Sequence, residues 1–186
     1  MAMQAESMAH LVTAEELLGL YVPGKSVELV RGHLVVRELP STRHGAVAAR
    51  LAYLLSDHMN RHDLGVVILD AGFEIESDPD TVRAPDVAFI DRSRAGQLPA
   101  TGYARLAPDF AVEVVSPGDR AGELLAKVGQ WLDAGTTLVW VVDPARAKAS
   151  VYRDNGEVTI IVAADGRLDG APVLPAFTCS IADVLN

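Results

Sequence analysis

The sequence has a single cysteine, Cys179, few aromatic residues and no long apolar run. A lone cysteine excludes an internal disulfide bond and a cysteine-based zinc cluster. No segment approaches the length that a transmembrane helix needs, and the N-terminus lacks the basic-then-apolar order of a signal peptide. We therefore expect a cytoplasmic protein with no membrane partner.

Positive charge is also scarce. The chain has 16 Lys and Arg residues against 25 Asp and Glu residues, which gives a formal net charge of −9. Non-specific nucleic-acid binding depends on clustered Lys and Arg, so this balance counts against a broad electrostatic grip on DNA. The negative net charge is still compatible with a local basic groove, or with a site at which metal ions offset the acidic residues.

The length of 186 residues fits one domain with a substantial core. We expect residues 1–12 to be a flexible leader and residues 13–186 to form a single domain. Within that domain, "TAEELLGLY" predicts a short helix capped by Thr13, and "SVELVRGHLVVREL" predicts a hairpin around Arg31-Gly32. Apolar residues at helical spacing then predict a second helix from residue 43 to about 61.

The second half of the chain predicts a β-α-β unit. "FAVEVV" reads as a strand, "SPGDRAGELLAKVGQWLDAG" as a helix and "LVWVV" as a second strand, which implies a parallel pair joined by a right-handed crossover. Asn155-Gly156 between two apolar runs predicts a further hairpin near the C-terminus. We therefore predict an α/β fold with a mixed β-sheet core flanked by α-helices.

Two acids stand where buried strands are expected to be apolar. In "FAVEVV", side-chain alternation places Glu113 among valines, and a lone buried carboxylate costs several kcal/mol unless it is paired or bound to a cation. In "RAPDVAFI", Pro85 forces an extended backbone, so that Asp86 lies at the mouth of a strand. One explanation is that Glu113 simply pairs with an arginine.

The other explanation is that the two acids share a metal ion. Mg²⁺ binds through one or two carboxylates and keeps several of its waters. Such an ion lowers the pKa of a bound water and stabilises a phosphoryl oxygen. Lys127, at the border of the apolar stripe of the predicted helix, is the candidate for a fixed cation beside them. The alternative for Lys127 is a lysine that only extends along the protein surface.

The ordered segments "YVPGKSVELVRGHLVV", "STRHGAVAARLAYLL", "RAPDVAFI", "DFAVEVVSPGD", "LLAKVGQWLDAGTTLVWVVDP" and "VYRDNG" resemble the Uma2 family of bacterial proteins. The resemblance covers nearly the whole chain from about residue 12. That family is similar in fold to restriction endonucleases with the PD-(D/E)xK motif. The resemblance therefore implies a restriction-endonuclease-like core, with additional N- and C-terminal hairpins, and a nuclease-type site.

The resemblance also implies roles for particular residues. Pro85-Asp86 matches the "PD" element and Glu113 matches the (D/E) position, and the backbone carbonyl of Val114 would be a further metal ligand. The sequence departs from the motif at Val115, where a lysine is expected. In this family the lysine is thought to be replaced from the following helix, which matches Lys127.

Further residues complete the predicted site. Glu28 corresponds to an acid from the N-terminal part of such folds, which would bind a second ion or a metal-bound water; the alternative is an exposed hairpin acid. His44 is a candidate substrate contact, or else a capping or surface histidine. Arg83, Arg43 and the arginines of the 92–105 loop are candidates to contact a nucleic-acid backbone.

The leading hypothesis is a metal-dependent endonuclease that hydrolyses DNA with Mg²⁺ or Mn²⁺ and acts as a homodimer. A non-catalytic dimeric binding or regulatory module that retains the fold is the alternative, favoured by the acidic net charge and the missing motif lysine. A third hypothesis is a metal-dependent hydrolase for a smaller phosphorylated ligand.

Overall fold

The computed structural model describes residues 10–162 and 165–185. The helices are α1 (Ala14–Leu18), α2 (Thr42–His62), α3 (Arg92–Ala95), α4 (Ala121–Asp133) and α5 (Ile181–Leu185). The strands are β1 (Lys25–Val30), β2 (His33–Glu38), β3 (Gly65–Leu69), β4 (Phe73–Glu76), β5 (Thr81–Arg83), β6 (Val87–Asp91), β7 (Phe110–Val114), β8 (Leu138–Asp143), β9 (Lys148–Arg153), β10 (Val158–Ile161), β11 (Arg167–Asp169) and β12 (Thr178–Ser180).

Most of the predicted leader, residues 1–9, lies outside the described residues. The last leader residue, Val12, donates its N–H to the carbonyl of Gly32, 2.9 Å away, so this end of the leader is attached to the β1–β2 hairpin. The helix that follows is shorter than predicted and ends at Leu18. Thr13 and Glu16 form the reciprocal hydrogen bonds of a capping box at its start.

The main sheet has six strands in the order β10-β9-β8-β7-β6-β3. Strands β7 and β8 are parallel and α4 connects them, whereas the other neighbours are antiparallel. The predicted β-α-β unit and mixed sheet are therefore confirmed. Asn155-Gly156 lies in the turn between β9 and β10, as the sequence predicts.

The main sheet is covered on both faces. Phe110, Val112 and Val114 of β7 pack into the cluster that contains the apolar side of α2. Ala111 of β7 packs on the opposite face, with Val128 and Trp131 of α4. Because strand side chains alternate, Glu113 shares the α4 face with Ala111. The sequence of β7 thus directs its one carboxylate toward the helix that carries Lys127.

A second sheet has four strands, in the order β2-β1-β5-β4. The β1–β2 hairpin turns at Arg31 and Gly32, which have φ angles of 47° and 76°. Leu29 of β1 pairs with Val82 of β5, directly before Arg83. This second sheet brings Glu28 and Arg83 to one place, beside the start of the chain segment that carries Asp86.

A short C-terminal unit closes the chain. Strands β11 and β12 form a two-stranded sheet, and α5 follows directly. Leu168, Cys179 and Ile181 of this unit belong to the core on the α2 side of the main sheet. Within the described residues, no helix has the length and apolar character needed to cross a membrane.

Candidate active site

A cleft of about 630 Å³ lies between the β1–β2 hairpin, the first residues of the β6 segment and the beginning of α4. Its walls include Asp86, Glu113, Lys127, Glu28 and His44. Five residues predicted from five different segments of the sequence therefore meet in one cavity. A smaller cavity of about 440 Å³, beside α1 and the 97–105 loop, contains none of them.

Glu113 is buried, with 5% of its surface exposed, and both of its carboxylate oxygens are engaged. Oε1 accepts a hydrogen bond from the indole Nε1 of Trp131 at 2.8 Å. Oε2 accepts one from Nζ of Lys127, also at 2.8 Å. The partners of this acid are thus a lysine and an indole, both from α4, and not the arginine considered as the alternative.

Lys127 is the centre of this arrangement. Its ammonium group donates to Glu113 and to the carbonyl oxygen of Ala84, each at 2.8 Å, and lies 3.0 Å from Oε1 of Glu28. Although burial opposes the charged form, the two carboxylates raise the pKa of Lys127 above its usual value. Three acceptors match the three N–H bonds of an ammonium group, so Lys127 is fully coordinated.

Glu28 is a buried acid, and not the exposed hairpin residue considered as the alternative. Its Oε2 accepts from Arg83 at 2.8 Å and its Oε1 accepts from the backbone N–H of Ala84 at 2.9 Å. Burial opposes its ionisation, but the charges of Lys127 and Arg83 prevail and lower the pKa of Glu28. Arg83 is itself buried, and its Nε donates to Gln130 at 2.8 Å. The structure places Arg83 beneath Glu28, away from the solvent.

Asp86 is held at the mouth of β6 by contacts from two directions. Its Oδ2 accepts a hydrogen bond of 2.6 Å from the backbone N–H of Val114, and Nε2 of His44 lies 3.2 Å from the same oxygen. His44 is buried in the first turn of α2, and its Nδ1 has no hydrogen-bond partner among the described residues. Burial opposes protonation of His44, but the hydrogen bond and charge of Asp86 raise its pKa.

The acids of the cleft repel one another. Burial, together with the negative charges of Asp86 and Glu28, raises the pKa of Glu113 to about 7, while the Lys127 ammonium acts in the opposite direction. Burial and the charge of Asp86 likewise raise the pKa of Asp70. A cluster of carboxylates that raise one another's pKa is a favourable environment for an added cation, which would relieve their repulsion.

Asp70 is a cleft residue that the sequence reasoning missed. It follows directly after β3, whose last residue, Leu69, pairs with Val87 of β6. This register places Asp70 beside Asp86. The available signal was an acid at the end of the apolar run "GVVILD", and a left-handed φ of 47° at Asp70 holds the backbone in the turn that follows.

The predicted arginines lie in different surroundings. Arg43 is exposed and donates to the carbonyl oxygen of Pro144 at 3.1 Å. In the 92–105 loop, Arg92 is paired with Asp63, Arg94 with Asp109 and Arg105 with Glu74, and none of the three lines the cleft. Two arginines do line the cleft: Arg37 and the exposed Arg120. The sequence reasoning did not select Arg37.

The chemistry of the cleft fits an oxygen-preferring divalent ion. Each oxygen of Glu113 accepts one hydrogen bond and so retains a lone pair, and the hydrogen bond that Asp86 accepts uses only Oδ2. In residues 10–162 and 165–185, no three His, Cys, Asp or Glu side chains form a ready-made metal cage. An ion such as Mg²⁺, which keeps several waters, suits this donor set better than a fully protein-ligated zinc ion.

Comparisons with known proteins agree with this architecture. A crystal structure of a protein from Anabaena variabilis, described as "a putative nuclease belonging to DUF820", superposes with a TM-score of 0.80 at 20% sequence identity. The alignment covers 94% of this chain and 97% of that one, and the restriction-endonuclease-like fold predicted from the sequence is confirmed. No curated protein matches the chain. The family model "Uma2: Putative restriction endonuclease" matches residues 14–182, and the chain therefore belongs to the Uma2 family.

Proposed function

We propose that the chain is a metal-dependent endonuclease that hydrolyses phosphodiester bonds in DNA. The observation that carries the proposal is the convergence of Asp86, Glu113 and Lys127 in one cleft, with Nζ of Lys127 2.8 Å from Oε2 of Glu113. Two carboxylates and a lysine are the residue types that a nuclease of this fold uses. The family description and the Anabaena protein, described as "a putative nuclease", support the same class of reaction.

In this proposal, the carboxylates of Asp86 and Glu113 and the carbonyl of Val114 would hold Mg²⁺ or Mn²⁺. The ion would supply a bound water of lowered pKa and positive charge for the phosphate. Lys127 keeps a fixed positive charge next to Glu113, where charge on the attacking water and the phosphate has to be stabilised. The lysine comes from α4, and Val115 packs with the apolar cluster beneath that helix.

The remaining site residues act through these three. Glu28 accepts from Lys127 and Arg83, so it fixes the position of the ammonium group. Arg83 supports Glu28 and is too buried to reach a DNA backbone. His44 contacts Asp86 through Nε2 and is buried, which favours a positioning role over the substrate contact considered from the sequence. Arg43, which is exposed, remains a candidate backbone contact.

The test is a cleavage assay with purified protein on plasmid and on single-stranded DNA, with Mg²⁺, Mn²⁺ or EDTA. Asp86→Asn and Glu113→Gln keep the shapes of the side chains, and we expect each to lower cleavage by about 100-fold or more, since several kcal/mol of charge stabilisation is removed. Asp57→Asn, in an exposed ion pair with Arg61, is the matched control and should cleave normally. Equal cleavage by the wild type and Asp86→Asn would exclude this site.

A binding module without activity is the competing function. The net charge of −9 and the complete coordination of Lys127 favour it. DNA binding without cleavage under any metal condition would support this alternative. Light scattering on the same samples tests the homodimer that the sequence predicts.

A further inference from the structure

Arg37 is placed on the same face of the β1–β2 hairpin as Glu28. Glu28 is opposite Val35 and Arg37 is opposite Ser26, and residues at alternate positions of paired strands share a face. The side chain of Arg37 lines the cleft and is 28% exposed. It therefore reaches the same cavity as the predicted catalytic groups, from the opposite wall to α4.

The guanidinium of Arg37 lies among three carboxylates but satisfies only part of its donor capacity. Nη1 donates to Asp119 at 3.2 Å, whereas Nη2 is 3.6 Å from Glu123 and Nε is 3.9 Å from Glu28. Nε is buried and has no hydrogen-bond partner among the described residues. An arginine has five N–H donors in a planar fork, so several of these donors are free to bind another acceptor.

The other buried cations of the site have no such capacity. All three N–H bonds of Lys127 have acceptors. Arg83 donates to both Glu28 and Gln130 from beneath the cleft. Of the two arginines that line the cleft, Arg120 is 83% exposed and pairs with Glu123, whereas Arg37 is 28% exposed. A phosphate that enters the cavity therefore finds its more enclosed bidentate partner at Arg37.

We propose that Arg37 is the residue that binds the phosphate of the substrate, and that Asp119 and Glu123 hold its guanidinium in position until the phosphate replaces part of their contact. The proposal deepens the nuclease function above and rests on it. The two holding contacts are partly exposed, since the Asp119 and Glu123 side chains are 21% and 49% exposed. Exposed ion pairs are weak, whereas an arginine–phosphate fork is charge-assisted and bidentate. Replacement of these carboxylate contacts of Arg37 by a phosphate is therefore favourable.

The primary test is binding of a fluorescein-labelled ten-nucleotide single strand, followed by anisotropy without divalent ions at several salt concentrations. We expect Arg37→Gln to weaken binding about tenfold or more, as for the loss of a hydrogen bond to a charged group. The slope of log K against log salt should fall by about 0.7, the value for one phosphate contact on a single strand. Arg37→Lys keeps the charge and should retain the slope while losing part of the affinity.

Two further variants separate a phosphate contact from a structural role. Arg61→Gln removes the same charge from an exposed pair with Asp57 outside the cleft, and should leave the salt slope unchanged. Glu123→Gln removes a carboxylate that competes for Arg37, and should tighten binding severalfold. If Glu123→Gln and Arg37→Gln weaken binding equally, the pair is structural and the proposal is wrong. Circular dichroism and the thermal midpoint verify that each variant is folded.

Cleavage kinetics with Mg²⁺ or Mn²⁺ distinguish the failure of this inference from the failure of the proposed function. We expect Arg37→Gln to raise KM much more than it lowers kcat. If the wild-type protein cleaves DNA and the Arg37→Gln variant has the same KM and the same salt slope, the role of Arg37 is wrong and the nuclease function stands. A wild-type protein that binds through Arg37 but never cleaves would overturn only the nuclease function. A wild-type protein that neither binds the strand nor cleaves plasmid or single-stranded DNA would overturn both.

Discussion

Replacing Lys127 with methionine removes the one ammonium group that contacts both Glu113 and Glu28, while a side chain of similar length remains. Below pH 7 we expect a loss of roughly 2–3 kcal/mol in the free energy of unfolding, from the lost hydrogen bonds to charged groups. In that range, Glu113, with a pKa of about 7, holds a proton in the wild type as well. The carboxyl is then neutral in both proteins, so the ionisation of Glu113 adds no pH dependence to their difference there.

Above pH 7 the two proteins diverge. The pKa of Glu113 in the folded state is raised from its ordinary value of 4.5 to about 7. Between these values the folded state binds more protons than the unfolded state, so stability falls as pH rises. Above pH 7 the wild-type carboxyl ionises against Lys127 and this fall stops. In the variant it continues at about 1.4 kcal/mol per pH unit. At pH 9 the total loss should therefore reach about 5 kcal/mol, the upper end for breaking a buried ion pair.

Urea denaturation followed by tryptophan fluorescence at pH 6, 7, 8 and 9 measures this difference, because Trp131 donates directly to Glu113. The double variant Lys127→Met, Glu113→Gln should lack the extra fall above pH 7. Lys25→Met, which breaks the surface pair with Glu38, is the control and should change stability by only about 0–1 kcal/mol at every pH. If Lys127→Met lowers the free energy of unfolding by the same amount at pH 6 and pH 9, the claim that Lys127 stabilises the ionised form of Glu113 is refuted.

Two further predictions concern the supports of the site. Trp131→Phe removes the indole N–H that Glu113 accepts, and should lower the free energy of unfolding by about 1–3 kcal/mol, measured as a lower urea midpoint at constant m. Gly65→Ala would place a Cβ 2.1 Å from the carbonyl oxygen of Ile90, so we expect the thermal midpoint to fall by about 5 °C or more. Gly129→Ala in α4, where a Cβ meets nothing within 4 Å, should instead raise it by about 1–4 °C, and a fall there would contradict the packing described.

The β-α-β unit and the face on which Glu113 lies could be predicted because both depend on local periodicity. Alternation in "FAVEVV" places Glu113 opposite Phe110, Val112 and Val114, and helical spacing in α4 places Lys127 beside Trp131. In the structure both α4 residues contact Glu113. Short-range pattern was therefore sufficient to single out the acid. For Lys127 it left the surface-extended alternative open, and the resemblance to the Uma2 family matched this lysine to the site.

The remaining features depend on contacts between distant segments. Arg83 and Glu28 are separated by 55 residues, and their pairing follows from the second sheet, which the sequence pattern did not distinguish from the first. Asp70 reaches the cleft only through the register of β3 against β6. Arg37 looked like an ordinary hairpin residue because its neighbours Asp119 and Glu123 come from the end of the β7–α4 connection and the first turn of α4. No local pattern encodes such partners.

The origin of Lys127 in a helix has a consequence for how the gene for such a protein can change in length. One residue inserted in α4 between Glu123 and Lys127 would rotate the lysine by about 100° around the helix axis relative to the preceding turn. An insertion in residues 116–118, ahead of Asp119, changes the path between β7 and α4, so the helix can keep its register on the sheet. Insertions and deletions that preserve the site should therefore accumulate in that connection and be rare within the helix. If the lysine were at the position of Val115, in the same extended segment as Glu113, insertions and deletions within the helix would not move it relative to Glu113.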